Sequence, residues 1–141
     1  MQLPIKAHYA TVAMLALAKE FNAGDLVSAK SISIEYGIPN QFLVQILQQL
    51  RSAGLVSSSR GPNGGFKLDK PPHCIVIADI LDVICPTSPN LPDGTCSNLL
   101  NEVVHDVWRS LETLQQDFLK GQTLDDLLLR MQNSAQPMFF I

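Results

Sequence analysis

The chain has 141 residues, a hydrophobic fraction of 46% and a formal net charge of −3. That length fits one small domain with an appended helix, and the apolar content is ample for a core. No stretch reaches the roughly 18–20 consecutive apolar residues of a membrane span. The cysteines Cys74, Cys85 and Cys96 are an odd number with no C-x-x-C pair, which argues against a disulfide framework and for a reducing, cytoplasmic setting.

Charge is unevenly divided. Residues 1–70 carry Lys6, Lys19, Lys30, Arg51, Arg60, Lys67 and Lys70 against Glu20, Asp25, Glu35 and Asp69, a balance of +3. Residues 71–141 carry only Arg109, Lys120 and Arg130 against nine acids, a balance of −6. A polyanion therefore has to dock on the first half, and so small an excess favours a dimer that doubles the phosphate contacts.

In chain order, the first predicted element is a helix over Lys6–Phe21, with Tyr9, Val12, Ala13, Ala16 and Leu17 as its inner stripe and Asn22-Ala23-Gly24 as its stop. Lys6, an apolar run and Ala16-Leu17-Ala18 imitate a secretory signal. His8, Tyr9 and Thr11 interrupt that run, and its period is that of an amphipathic helix. Ser28 is placed to cap a short helix over Ala29–Tyr36 that Gly37 closes. A third helix spans Pro39–Ser52, where Phe42, Leu43, Ile46, Leu47 and Leu50 make one apolar stripe, and Gly54 stops it. Two helices joined by so short a glycine-containing turn form a helix-turn-helix, in which the second helix is the DNA reader.

Leu55–Ser59 then reads as extended, the cluster Gly61–Gly65 turns the chain, and Phe66-Lys67-Leu68 returns, giving a glycine-tipped hairpin. Lys70-Pro71-Pro72 is a rigid exit. Cys74, beside Ile75-Val76-Ile77, reads as a small core residue. Residues 75–84 begin as a strand and become a helix from Ile77, with Ile80, Leu81 and Ile84 facing the core. The stretch Pro86–Thr95, with three prolines and a glycine, reads as an irregular loop between Cys85 and Cys96. A long helix follows over Ser97–Lys120, with Gly121 as stop. Its residues Leu100, Val104, Val107, Leu111, Leu114 and Phe118 recur with alternating spacings of four and three, the seam of a coiled-coil-like pair. Leu99, Val103, Trp108 and Leu119 add a second apolar flank, more than one small domain needs. A last helix runs from Thr123 to about Met131, ahead of the apolar tail Pro137–Ile141.

The predicted fold class is mainly α with a small β-wing: a winged helix-turn-helix at 1–72, a short helix and sensor loop at 73–96, and a dimerisation helix with tail at 97–141. On the reading helix Gln41, Val44, Gln45, Gln48 and Arg51 face outward. Side-chain amides pair in bidentate fashion with adenine, and an exposed valine meets the thymine methyl. Arg60 at the hairpin tip can follow a phosphate or enter a narrow minor groove. Asn40, Asn63 and Lys67 complete the candidate DNA-binding set. An enzyme is the competing class, with Cys96 and His105 as nucleophile and base or Glu102-x-x-His105 as half of a di-iron site. The chain has no phosphate loop, nucleophile elbow or H-E-x-x-H, so it is read as not an enzyme. A winged-helix module that binds a protein partner is the third class.

Three stretches carry a family resemblance: M-Q-L-P-I-K-A-H-Y-A at the start, I-P-N-Q-F-L-V-Q-I-L in the reading helix, and A-G-L-V-S-S-S-R-G-P-N-G-G-F-K-L through the wing, with Trp108 and T-L-D-D-L-L further on. The chain resembles the bacterial Rrf2 family of winged-helix regulators, of the IscR and NsrR type, over nearly its whole length. The resemblance implies a homodimer on a palindromic site in double-stranded promoter DNA, with Gln41, Val44, Gln45 and Arg60 as readers.

The resemblance also implies a [2Fe–2S] cluster, since many members hold one on three cysteines in the loop before the long helix. A fourth ligand comes from a histidine or from an acidic residue near the partner's N-terminus. By position, Cys96 falls on the second cysteine, Glu102 on the third and His105 on the histidine. Only Cys85 is near enough to replace the first cysteine, and His8 stands where some relatives supply a ligand across the dimer. Mixed thiolate and imidazole ligation is chemically sound. The chain departs from the cysteine triad at two of three places, and a cluster-free, thiol- or ligand-responsive regulator is the alternative. Zinc on Cys85, Cys96, Glu102 and His105 is a further one, with an unusually scattered spacing for a structural site.

Overall fold

Helix α1 (Ile5–Lys19) owes its central place to small side chains. Ala7, Ala10 and Ala13 are fully buried, as is Met14, and Ala16, Leu17 and Ala18 are nearly so. Alanines let neighbouring elements approach on several sides, and α1 packs against α2 (Ala29–Tyr36), α3 (Asn40–Ser52), α4 (Ile77–Ile84), α6 (Leu124–Ala135) and strand β2 (Gly65–Leu68). The expected single stripe is therefore too narrow. Tyr9 and Val12 lie at the margin of the core, and burial runs most of the way round the helix. The computed structural model describes residues 3–86 and 98–135; Cys96, most of the loop between Cys85 and Cys96, and the tail from Pro137 lie outside them.

The helix-turn-helix forms where its caps direct. The Ser28 hydroxyl accepts from the Ser31 N–H at 3.1 Å, and Gly37 ends α2 in the left-handed region at φ 68°. Ser33 Oγ donates to the Ile38 carbonyl at 2.6 Å, which fixes the turn between the two helices. Pro39 is the N-cap of α3 and not part of its first turn. At the other end, the Leu55 N–H reaches the Leu50 carbonyl at 3.0 Å and the Gly54 N–H the Arg51 carbonyl at 3.0 Å, with Gly54 at φ 80°. That pair of bonds is a Schellman stop. Leu43, Ile46, Leu47 and Leu50 are fully buried. Phe42, expected in the same stripe, is 39% exposed and leans on Tyr9 with ring centroids 6.3 Å apart; it lies at the edge of the stripe, where α1 covers only part of the ring.

Strands β1 (Val56–Ser59) and β2 pair antiparallel, Val56 opposite Leu68 and Ser59 opposite Gly65. Val27 adds an isolated bridge to Phe66, with N–H···O distances of 2.9 and 2.8 Å in the two directions. One pairing residue leaves no period in the sequence, so this edge was not foreseen. It makes glycine obligatory at position 65, where a Cβ would lie 2.6 Å from the Val27 carbonyl oxygen, and a Cβ at Gly64 would collide with the Ser59 carbonyl.

After the wing, a 3-10 turn at Pro72–Cys74 carries Cys74 out to an exposed position, against the core placement expected for it. Ile75 takes the buried site instead. Residues 75 and 76 are extended as expected, and Val76 bridges to Thr123. The Ile77 N–H donates to the Gln122 carbonyl at 2.9 Å and the Leu124 N–H to the Ile75 carbonyl at 3.0 Å, so the start of α4 is tied to the junction of α5 (Leu99–Lys120) and α6. Ile80 and Ile84 of α4 are buried as expected, while Leu81 is partly exposed. Asn98 caps α5, and Gly121 ends it in the right-handed region at φ −86°. Helix α6 runs past the expected end at Met131, because Gln132-Asn133-Ser134 continue a polar, exposed face that has no apolar marker.

Helix α6 begins with reciprocal caps: the Thr123 N–H donates to the Asp126 carboxylate and the Asp126 N–H to Thr123 Oγ1, each at 3.0 Å. The backbone bond from Thr123, reinforced by the Thr123 hydroxyl, holds the Asp126 carboxyl below its ordinary 3.8. A carboxylate whose folded value is depressed contributes stability above its unfolded value and loses it as pH falls through the folded one. Asp126→Asn is therefore expected to be less stable than wild type at neutral pH, with the gap closing below about pH 3.8. Denaturant midpoints measured against pH check this; a gap independent of pH contradicts it.

Candidate nucleic-acid interface

The buried stripe of α3 fixes its rotation, and that rotation decides what it shows to solvent. Asn40, Gln41, Gln45, Gln48 and Arg51 are exposed, and Val44 is 39% exposed. Gln41, Gln45 and Gln48 stand on the face opposite Leu43, Ile46 and Leu50, while Asn40, Val44 and Arg51 lie along one flank of it. No acidic residue lies within α3, so nothing on this helix repels a phosphate.

The wing is fastened to one flank of α3. Arg51 Nη1 donates to Ser58 Oγ on β1 at 3.1 Å, which holds the helix and hairpin as one surface. Ser58 was not singled out from sequence; a lone serine in S-S-S gives no signal of its own. Arg60, Asn63 and Lys67 are all exposed, Arg60 directly after β1, Asn63 in the turn and Lys67 on β2. The opposite flank of α3 faces Lys6 of α1, another residue the sequence reading passed over as a DNA contact. Lys6, Gln45, Gln48, Gln49, Ser52 and Val83 line a groove of about 630 Å³.

The candidate metal ligands are distributed differently. Cys85 is half-buried against the core. Glu102 is exposed and His105 half-buried on the first half of α5. His8 is exposed and lines a cavity of about 380 Å³ with Leu3, Leu81, Gln115, Phe118 and Leu119, at the other end of α5. Ten residues separate His105 from Gln115, roughly 15 Å along a helix. Among the described residues no group of three or more His, Cys, Asp or Glu side chains stands close enough to hold a metal ion. The described donors of one chain therefore do not fit an iron–sulfur cluster by themselves, and Cys96 lies outside them.

Helix α5 has no buried residue. Leu100, Val104, Val107, Leu114 and Phe118 are between 49% and 80% exposed, Leu111 is 37% exposed, and Leu99, Val103 and Trp108 on the second flank exceed 50%. The principal packing of α5 within the chain is against α4. Among the described residues no helix is long and apolar enough to cross a membrane.

Residues 3–130 match the model of the Rrf2 family, described as iron-dependent transcriptional regulators. The HTH-type transcriptional regulator IscR of Vibrio campbellii is 34% identical over 131 residues, covering 91% of this chain and 77% of that protein. Among solved structures, IscR of T. potens superposes with a TM-score of 0.81 at 31% identity, covering 96% of this chain and 92% of that one. CymR, the global cysteine regulator of B. subtilis, superposes with a TM-score of 0.76 at 28% identity, covering 90% and 95%. These relatives are regulators and not enzymes, and with their winged-helix architecture and a family match over most of its length, the chain belongs to the Rrf2 family of transcriptional regulators.

Proposed function

We infer that this protein acts as a cytoplasmic homodimer that reads a palindromic site in double-stranded promoter DNA. The observation that carries this reading is the joined surface of α3 and the wing: glutamine amides on an exposed helix, with an arginine-tipped hairpin bonded to its flank through Arg51 and Ser58. In this reading residues 1–72 supply the DNA surface, 73–96 the connection and sensor loop, and 97–141 the dimer contact. A helix in the major groove places Gln41, Val44, Gln45 and Gln48 against base edges, with Asn40 and Arg51 toward the backbone. Arg60, Asn63 and Lys67 lie over the adjacent backbone or minor groove.

The uncovered seam of α5 supports the dimer. Burying a Leu, Val or Phe side chain is worth about 1.5–3 kcal/mol. Nine such residues, counting Trp108, stand 37% or more exposed on this helix, which gives a gross gain on the order of 10 kcal/mol, comparable with the cost of association. Pairing also doubles a modest positive charge, which a single copy spreads over few phosphates.

For sensing, the described donors of one chain do not by themselves assemble a ligand set. A cluster would need Cys96 together with donors from Cys85, Glu102, His105 or a partner's α1. The cavity bounded by His8, Leu81 and Phe118 favours the ligand-responsive alternative, since it lies between α1, α4 and α5, where an occupant bears on the angle between reading head and dimer helix. Half-site spacing is strict, so a change in that angle alters operator affinity.

Titration of promoter fragments from the organism's own genome tests the DNA reading. Affinity is expected to fall as salt rises, and Arg60→Ala to cost about 1–3 kcal/mol. Salt-independent or absent binding leaves a protein-interaction module as the better account. Purification without air, with a visible spectrum and iron and sulfide analysis, tests the sensor. Iron and sulfide in equal amounts would establish a cluster completed by Cys96 or by a partner's donors; colourless, iron-free protein that still binds DNA would establish the cluster-free alternative.

A further inference from the structure

The groove on the flank of α3 away from the wing holds one cation, Lys6, and no carboxylate lines it. Lys6 is half-buried while Pro4, Ile5 and His8 around it are exposed, so part of its stem lies against the groove and its ammonium reaches toward solvent. Among the described residues the one ion pair is Arg109 with Asp106, far along the chain on α5. Lys6 thus carries a positive charge beside the reading helix that no acid of the described chain neutralises.

Its direction matters as much as its charge. Gln49 and Arg51 are two residues apart, so they leave α3 on flanks about 200° apart. Arg51 turns to the wing, where it meets Ser58, while Gln49 turns to Lys6. A helix with its side chains is about 10–12 Å across and the major groove about 12 Å wide, so a helix lying in it has a sugar–phosphate strand along each flank. The wing and Arg51 serve one strand. On the other, an ammonium with glutamine amides and the Ser52 hydroxyl alongside matches a phosphate diester in charge and in donors.

We propose that the groove between the first turn of α1 and α3 is a phosphate-binding site in which Lys6 grips the DNA strand opposite the wing, assisted by Gln49 and Ser52. This rests on the DNA reading above. Lys6 positions the reading helix in the groove and carries no sequence information, so its loss weakens every duplex alike.

The test compares wild type with Lys6→Gln, Lys6→Met and Lys6→Arg on a promoter fragment and on an unrelated duplex of equal length. Lys6→Met keeps the apolar stem, so that a fold-related loss in Lys6→Gln is recognised by its absence in the methionine variant, with thermal melting as a check. Both neutral variants are expected to bind each duplex more weakly, roughly tenfold per lysine at 0.1 M salt, with the slope of log affinity on log salt reduced by about one per lysine. Lys6→Arg is expected to keep the wild-type slope. A folded neutral variant with an unchanged slope would overturn the proposal, as would a loss confined to the promoter fragment, which would make Lys6 a base reader. Wild-type protein that shows no salt-dependent binding at all defeats the DNA reading itself.

Discussion

Close approach to an alanine-rich helix is the constraint on which the rest of this structure depends. Ala7, Ala10 and Ala13 present no side chain beyond Cβ, so α3, α4 and α6 can be seated on α1 at short range. Once Leu43, Ile46, Leu47 and Leu50 are buried against that surface, α3 cannot rotate without exposing them. Its polar face is thereby aimed outward. The direction of the glutamines is a packing consequence, settled by residues that never touch solvent.

The wing is held by a different kind of interaction. Beyond Val56 and Leu68, which seat its base in the core, its placement depends on directional bonds: the Val27–Phe66 bridge at its base and the Arg51–Ser58 bond along its flank. Gly65 allows the backbone approach to Val27 that makes the first of these geometrically available, and Gly64 lets the hairpin turn close against the Ser59 carbonyl. The same division holds at the other end of the molecule. Leu124 is fully buried, and the bridge from Val76 to Thr123 orients the turn between α5 and α6. With α6 and α4 both anchored to α1, α5 leaves the body of the chain with its apolar seam uncovered.

Much of this was legible in the sequence because the signals were local. Ser28, Gly37 and Gly54 marked helix ends within a residue or two, since capping depends on the residue at the cap and its nearest neighbours. The period of Leu43 to Leu50 gave the buried face of α3, and the alternation from Leu100 to Phe118 gave the seam of α5. What stayed hidden depended on distant partners. Phe42 sits in period with the core yet lies at its rim, and Cys74 is lifted outward by a 3-10 turn after two prolines. Single-residue bridges at Val27 and Val76 have no repeat to reveal them. Lys6 resembled any charged residue on a first turn until α3 was placed beside it. The candidate ligands Cys85, Glu102, His105 and His8 are linked in sequence only by spacing, and in space no three of the described ones come together.

Two copies that meet along α5 would display two reading helices at a fixed separation. Sedimentation equilibrium of the full chain at micromolar concentration measures this without DNA, metal or effector. A single species of twice the 15.5 kDa chain mass is the expected result. A 15.5 kDa species across the concentration range would contradict it.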